Sequence, residues 1–402
     1  MWTSSAACSK RHPTTATGDA ALAAGSPDQA IEAPRPLGRL TLCVSQQCNL
    51  ACAYCYGATD GYMGTRQRMP AHTALKAVRT CAAARHIRHV QFFGGEPLLN
   101  RQCIYVTVHE LESMHRQGIL PSMPSLSMAT NLTLMDEDMA RFMAEKNMRA
   151  ATSLDGPQVI HDRLRTDRAG NGSHARVMHG LDLLRKHGVP FTLECTYTTR
   201  HFRNGHDIPD MCDYLHAQRP HRFDIVLAAV PGNASLDPSQ GPLWHDILRS
   251  HTESLEHVLD VWAQGETMRH GLAMDVLRSE RPEPETFCTA GSSNVAVAAD
   301  GGCYPCHMMI GMERFRSESP LQTLGAGQPC RKPDFAACAG CHARDLCVIC
   351  VGKMLMYAPE APRPHSHLCE FTQHSLAALV RAFDARMPAL CDNKKAPPAP
   401  VQ

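Results

Sequence analysis

Aromatic residues are scarce, 5% of 402 positions, which disfavours a stacking platform for single-stranded nucleic acid. An excess of charge of either sign is missing as well. Forty Lys and Arg against 39 Asp and Glu leave a net charge of +1, without the basic stripe that marks a polyanion binder. Nucleic acid is therefore not expected as a partner. No run of residues comes near the roughly 18 consecutive apolar positions of a transmembrane helix, so no membrane span is expected. Residues 1–38 lack a continuous apolar run and carry Lys10, Arg11, Asp19, Asp28 and Glu32, which does not read as a signal peptide. A cytoplasmic location follows as an expectation. What the sequence does have is cysteine, 19 of them. In a cytosolic chain of this length that number points to metal or redox chemistry rather than a disulfide scaffold. The length itself suggests two or three domains and a full apolar core.

Residues 1–38 are rich in Ala, Thr, Ser and Pro without sustained period and read as a disordered lead-in; the stretch 393–400 reads the same way. Between 39 and 235, short apolar runs alternate with amphipathic segments. Strands are expected at 39–45, 88–93, 125–130, 148–154, 189–198 and 222–230. Helices are expected at 71–85, 101–117, 136–146, 173–187 and 206–217. That alternation means βαβ units with right-handed crossovers, an α/β fold with a parallel sheet curved into a partial (β/α)6 barrel. Its active face is expected at the carboxyl ends of the strands. A further helix at 242–263 carries Leu243, Ile247, Leu248, Leu255, Val258, Leu259 and Trp262 as an apolar stripe. From 288 to 369 the chain holds nine cysteines with many Gly and Pro. Such a segment is expected to lack a large apolar core and to be organised by bound metal. A last helix at 371–387 places Leu376, Leu379, Val380, Phe383 and Met387 on one face.

Directly after the first strand come Cys48, Cys52 and Cys55, a Cys-x3-Cys-x2-Cys loop. Three thiolates there can hold three irons of a cubane cluster, which usually takes four. No fourth cysteine follows nearby, and an open iron can bind something else. A zinc site is the chemical alternative. The second strand runs into Phe92-Phe93-Gly94-Gly95-Glu96-Pro97. The two glycines let backbone approach a ligand closely, and Glu96 offers a carboxylate to an amine. A tight turn after a buried strand is the plainer alternative.

With these motifs in place, residues 39–235 resemble the radical S-adenosylmethionine (AdoMet) superfamily. The resemblance implies a [4Fe–4S] cluster on Cys48, Cys52 and Cys55 with the methionine amino and carboxylate groups of AdoMet on its open iron. It places Tyr54 near the adenine and the segment Gly94, Gly95, Glu96 and Pro97 at the methionine amine. Asn131 after the third strand, and Ser153 and Asp155 after the fourth, are implied as cofactor contacts near the ribose or methionine. Arg176 is a candidate for the methionine carboxylate, with an ordinary surface arginine as the alternative.

The cysteines of 288–375 resemble the SPASM domain, which follows the radical core in peptide-modifying relatives. By position, the resemblance implies an inner auxiliary [4Fe–4S] cluster on Cys288, Cys306 and Cys350. It implies an outer one on Cys338, Cys341, Cys347 and Cys369. The spacing before Cys350 is one residue shorter than the usual pattern. Seven ligands leave one iron open, or filled by Cys303. Two structural zinc sites, with His365 and His367 as further ligands, are the alternative reading. The implied organisation is a lead-in to 38, a radical core over 39–235 and a helical linker over 236–287. A SPASM domain over 288–375 and a helix with a tail over 376–402 follow. In anaerobic sulfatase maturases an aspartate follows the cysteine matching Cys306 and acts as base. Here that residue is His307, which can take a proton near neutral pH and is the candidate catalytic residue.

The leading expectation is a peptide maturase: hydrogen abstraction from a ribosomally made peptide, then oxidative formation of a thioether or C–C cross-link. Alternatives are formylglycine formation on sulfatases, an auxiliary-cluster dehydrogenase of a small alcohol or sugar, and a zinc protein without enzymatic activity. Expected partners are a peptide or protein substrate and a reductant such as flavodoxin or ferredoxin. A separate leader-peptide recognition protein joins them if the lead-in is too short to serve.

Overall fold

The structure is a computed structural model that describes residues 35–58, 66–278 and 285–392, the side chains of 276–278 and 387–392 excepted. The lead-in through residue 34, the tail from 393, and the side chains of Met387, Cys8 and Cys391 lie outside the described residues.

Six parallel strands form in sequence order: β1 (Arg39–Ser45), β2 (His89–Gly94), β3 (Ser125–Thr130), β4 (Met148–Ser153), β5 (Phe191–Tyr197) and β6 (Arg222–Leu227). The intervening helices are α1 (Ala71–Ala84), α2 (Arg101–Arg116), α3 (Glu137–Glu145), α4 (Gln158–Leu164), α5 (His174–Lys186), α6 (Thr199–Arg203) and α7 (Ile208–Ala217). The expected strands and helices all form, each within a few residues of its expected ends. Two short helices, α4 and α6, were not expected. Strands β2 to β6 bury alternate residues under the helices, such as Leu126 and Met128 on β3, while β1 is buried on both faces from Leu40 to Ser45. The opposite faces, less apolar, line the inside of a partial (β/α)6 barrel.

The sheet does not stop at the sixth strand pairing. Its order is β6-β5-β4-β3-β2-β1-β7-β8. Here β7 (Asn294–Val297) lies parallel to β1, with Leu40 opposite Val295 and Leu42 opposite Val297. The two-residue β8 (Cys303–Tyr304) turns back antiparallel on β7. The first hairpin of the cysteine-rich segment thus continues the core sheet.

Helix α8 (Trp244–Ala263) buries its expected stripe from Ile247 to Trp262, while Leu243 precedes the helix and is half-buried. After α9 (Gly271–Arg278), the cysteine-rich stretch adds α10 (Pro320–Ala326), α11 (Ala336–Ala339), α12 (Val351–Tyr357) and α13 (Ser366–Asp392). Helix α13 begins before residue 371 and lies along α8, with Arg386 paired to Asp260 at 2.6 Å and His251 bonded to Ser375 at 2.9 Å. Val380, expected on its apolar face, is 61% exposed; Ala378, Leu379 and Ala382 take the contact. The cysteine-rich segment also buries an apolar cluster, including Phe287, Met309, Ile310, Met354 and Leu355, which Cys43 of β1 joins. The expectation that it lacks such a core is corrected: scattered apolar residues without period are gathered by loops, which periodicity does not reveal. Among the described residues no helix is long and apolar enough to cross a membrane.

Candidate functional site

The loop after β1 is strapped on two sides. Ser45 and Gln47 carbonyls accept from the Gly95 and Glu96 amides at 2.7 and 2.8 Å. On the far side, Ala51 and Ala53 amides donate to Thr166 and Leu164 carbonyls, both at 2.8 Å. A Cβ on Gly94 would sit 1.9 Å from the Ser45 carbonyl oxygen, and one on Gly95 would sit 2.5 Å from that of Gln47. Gly94 also has φ of +149°, where side chains are strained. The glycines therefore seat the cysteine loop on β2, a closer approach of backbone to backbone than to an open ligand space.

This strapping brings the first three thiols into one another's fields. Burial pushes the Cys48 thiol up to about 11, with Glu96, Cys52 and Cys55 adding to it. Burial and Cys55 likewise push Cys52 up, while Arg165 pulls it down. Crowded thiols, with Cys48 and Cys52 resisting ionisation alone, suit a cationic iron cluster, whose charge turns the same crowding into ligation.

Glu96 lies among donors of this chain. It is fully buried, and Oε1 accepts from Leu98 N at 2.9 Å and Thr130 Oγ1 at 2.8 Å, while Oε2 accepts from Asn131 N at 2.8 Å. Burial raises its pKa despite these bonds. The carboxylate ties the end of β2 to the end of β3, and Pro97 opens the turn it caps. Asn131, so fixed, reaches Cys48 Sγ at 3.7 Å and Asn49 Oδ1 at 3.0 Å.

Tyr54 donates its hydroxyl hydrogen to Asp155 Oδ2 and accepts from Arg165 Nη1 at 2.6 Å. Asp155 is clamped at every polar atom. Its N–H donates to His161 Nδ1 at 3.2 Å, its carbonyl accepts from His201 Nε2 at 2.9 Å, and Oδ1 accepts from Thr196 N at 3.1 Å. Because His161 accepts at Nδ1, its proton is on Nε2, which donates to Ser173 Oγ at 3.0 Å. That hydroxyl in turn donates to the Arg165 carbonyl at 2.7 Å. Burial holds His161 neutral, lowering it to about 2. Ser153 ends β4 beside this network, opposite Glu194 of β5.

Arg165, not Arg176, is the arginine at this site. Arg176 is exposed and turned to Asp167 Oδ2 and the Gly172 carbonyl, both at 3.4 Å. Arg165 is buried, and its Nε has no hydrogen-bond partner among the described residues. A buried donor without a partner fits an anionic group such as the AdoMet carboxylate. Arg165 is the residue at which α4 ends, already out of helical conformation, and the sequence carries no signal that separates it from its neighbour Arg163.

Two further thiol sets form. Cys288, pushed up to about 11 by burial, also feels Cys350 and Cys306. Cys338 feels Cys341, Cys347 feels both, and Cys369 feels all three. The groupings coincide with the two sets expected from position. Cys303 lies apart: its Sγ donates to Gly301 O at 3.4 Å, and the thiol it influences is Cys81. Cys330 instead sits within the fields of both Cys288 and Cys338. His365 and His367 pack on each other at 4.2 Å and on Tyr357. Among the described residues no three His, Cys, Asp or Glu side chains converge on one ion; a cubane takes one thiolate per iron and needs no such convergence.

The first and inner sets approach each other at Tyr56, which follows Cys55 and packs against the same apolar cluster as Cys306. Tyr56 lies in the fields of Cys55, Cys306 and Glu194 together. His307, next to Cys306, packs its ring 4.3 Å from Phe93, and its Nδ1 lies 3.6 Å from Cys306 Sγ. Burial lowers it to about 4.

Residues 42–215 match the family described as the Radical SAM superfamily. The chain is 31% identical over 160 residues to the serine-type anaerobic sulfatase-maturating enzyme of Bacteroides thetaiotaomicron. That stretch covers 39% of this chain and 38% of the relative, well under two thirds of its length. It is 30% identical over 307 residues to the serine-type anaerobic sulfatase-maturating enzyme of Klebsiella aerogenes, covering 73% of this chain and 72% of that one. The solved structure described as "Native anSMEcpe with bound AdoMet and Kp18Cys peptide" superposes with a TM-score of 0.69 at 21% identity. It covers 88% of this chain and 99% of that chain, a likeness of fold.

Proposed function

The chain belongs to the radical SAM superfamily, and from that premise we propose that it is a peptide maturase that oxidises a side chain or Cα position of a ribosomally made peptide. As a superfamily enzyme it uses AdoMet with a [4Fe–4S] cluster, and auxiliary [4Fe–4S] clusters accompany it. Bound, these supply a carbon radical for hydrogen abstraction and a store for one further electron. Cys48, Cys52 and Cys55 are the proposed ligands of the first cluster, and the two later thiol sets those of the auxiliary clusters. Arg165, Tyr54, Asp155 and Asn131 would hold and orient AdoMet, with Glu96, His161 and His201 fixing them. The carrying observation is that Tyr56, next to Cys55, packs against the same apolar cluster as Cys306. That contact brings the first and inner thiol sets to one region of the barrel, where one substrate group can serve both.

Sulfatase maturation is the second reading, favoured by the identity to the Klebsiella enzyme along most of both chains. His307 in place of the acidic base weighs against it. The test is anaerobic incubation of reconstituted protein with AdoMet and a reductant such as flavodoxin, followed by mass spectrometry. One arm uses peptides encoded beside the gene; the other uses a peptide carrying a sulfatase modification sequence. Loss of two hydrogens with a new cross-link in the first arm supports the proposal. An aldehyde in the second arm alone replaces it with sulfatase maturation.

A further inference from the structure

β5 is paired on both edges, with β4 and with β6. Its residues Phe191, Leu193, Cys195 and Tyr197 are buried under the helices. Thr192, Glu194 and Thr196 therefore point the other way, into the barrel. Of these only Glu194 is exposed. Apart from the first residues of β1 and β3, it is the only exposed position in any described strand. An exposed side chain in mid-strand, with both strand edges paired and one face packed, can be exposed only to the lumen.

No hydrogen bond or ion pair joins the Glu194 carboxylate to any described residue. The charges that act on it locate it. Asp224 is its partner in register on β6. Arg165 belongs to the Tyr54–Asp155 network, His307 follows Cys306, and Lys353 lies in α12 just after Cys350. Lys353 donates to the Leu227 carbonyl at 2.9 Å rather than to Glu194. Although water reaches it in the lumen, the surrounding barrel wall desolvates the carboxyl and, with Asp224, raises it; Lys353, Arg165 and His307 oppose them without cancelling them. A carboxylate without a partner among the described residues, in the fields of Arg165 beside the first thiol set and of His307 and Lys353 beside the inner set, is placed for proton transfer rather than for stability.

We propose that Glu194 is the substrate-facing base of this enzyme, receiving the proton that the oxidised substrate gives up. The proposal rests on the peptide-oxidation reading above and adds the proton acceptor to it. The step balances as follows. A hydrogen atom leaves a substrate carbon for the AdoMet-derived carbon radical. The partner group, a thiol or a second C–H, bonds to that carbon and passes its proton to a Glu194 Oε. The one remaining electron goes to an oxidised auxiliary iron–sulfur cluster. His307 is less suited, because its ring is packed on Phe93 and its Nδ1 lies against the Cys306 sulfur.

The test compares wild type, Glu194→Gln, Glu194→Asp and His307→Gln as reconstituted holoenzymes, with the peptides encoded beside the gene as probe. Glu194→Gln should lower the ratio of product to 5′-deoxyadenosine by about 100-fold or more. Glu194→Asp should recover part of it with a shifted pH profile. An unchanged ratio and pH profile in either Glu194 variant, with loss in His307→Gln alone, overturns the proposal. The Asp variant keeps the test open if the Gln variant does not fold. Should wild type cleave AdoMet yet leave every peptide untouched, the substrate reading is what fails. Glu194 is then judged from the carboxyl infrared difference between wild type and Glu194→Gln. A carboxyl titrating above the ordinary glutamate range supports it, and ordinary titration overturns it.

Discussion

Arg165 and Arg176 lie on neighbouring segments, yet burial separates their roles completely. Arg165 sits buried against Tyr54 with one donor unpaired; Arg176 is exposed beside Asp167. Arg165→Gln should weaken AdoMet binding by about 1.5–3 kcal/mol, one to two orders of magnitude in Kd. Arg176→Ala should change it by less than about 0.5 kcal/mol. Equilibrium dialysis with labelled AdoMet checks both, and the reverse ranking would return the carboxylate role to Arg176. Glu96 makes a different prediction from the one its motif suggests. Glu96→Ala leaves the Leu98 and Asn131 amides and the Thr130 hydroxyl without their buried acceptor, at about 1–3 kcal/mol each. The cofactor-free variant should therefore unfold at a clearly lower Tm as well as bind AdoMet poorly. An unaltered Tm would show that the carboxylate serves only the ligand.

Individual elements bring distant cysteines together. Strand β7 pairs with β1, and so carries the cysteine-rich segment onto the barrel wall that holds the first loop. The hairpin it forms with β8 directs Cys303 toward Cys81, away from the inner set. The stretch before α11 instead brings Cys330 between Cys288 and Cys338. Three cubanes hold about twelve irons. Cys48, Cys52 and Cys55 replaced together by Ala should remove about four and abolish 5′-deoxyadenosine formation. Cys303→Ser should leave the iron content intact. If a thiol of this chain completes the inner set, Cys330→Ser should lower the iron content and alter the paramagnetic spectrum of the reduced protein. Equal iron and identical spectra in both variants would mean that neither cysteine is a ligand.

Across the molecule, buried imidazoles set the response to acid. His161, His251 and His270 are almost completely buried and are held near 2, 3 and 4 by desolvation. Unfolded histidine takes up its proton near 6.5. Below that pH the unfolded chain binds more protons than the folded one, so stability falls as pH falls. The contribution is fully present above about 6.5 and is lost progressively down to each folded value. The three groups together give a slope of about 4 kcal/mol per pH unit in the window from about 6 to 4. Thermal unfolding of cofactor-free protein should show Tm dropping steeply below about pH 6. His161→Asn should flatten the slope while loosening Asp155.

The alternation of apolar runs and amphipathic segments was enough to read a six-stranded parallel barrel, because the periods of strand and helix are local properties of the chain. The Cys48–Cys52–Cys55 loop and the grouping of the later cysteines were legible for the same reason: ligand spacing is written in sequence. Other features depended on which surfaces meet. Arg165 and Arg176 differ in burial rather than in type. That Glu96 also accepts from Leu98, Thr130 and Asn131, and so joins the ends of β2 and β3, was not legible in its motif. Glu194 stands out only once β5 has a neighbour on each edge and a lumen in front of it. The sequence by itself determined the elements, the superfamily chemistry and the metal-binding residue types. Tertiary structure decided which charges are desolvated, which thiols share a field and which carboxylate is left unpaired, because those depend on packing between segments far apart in the chain.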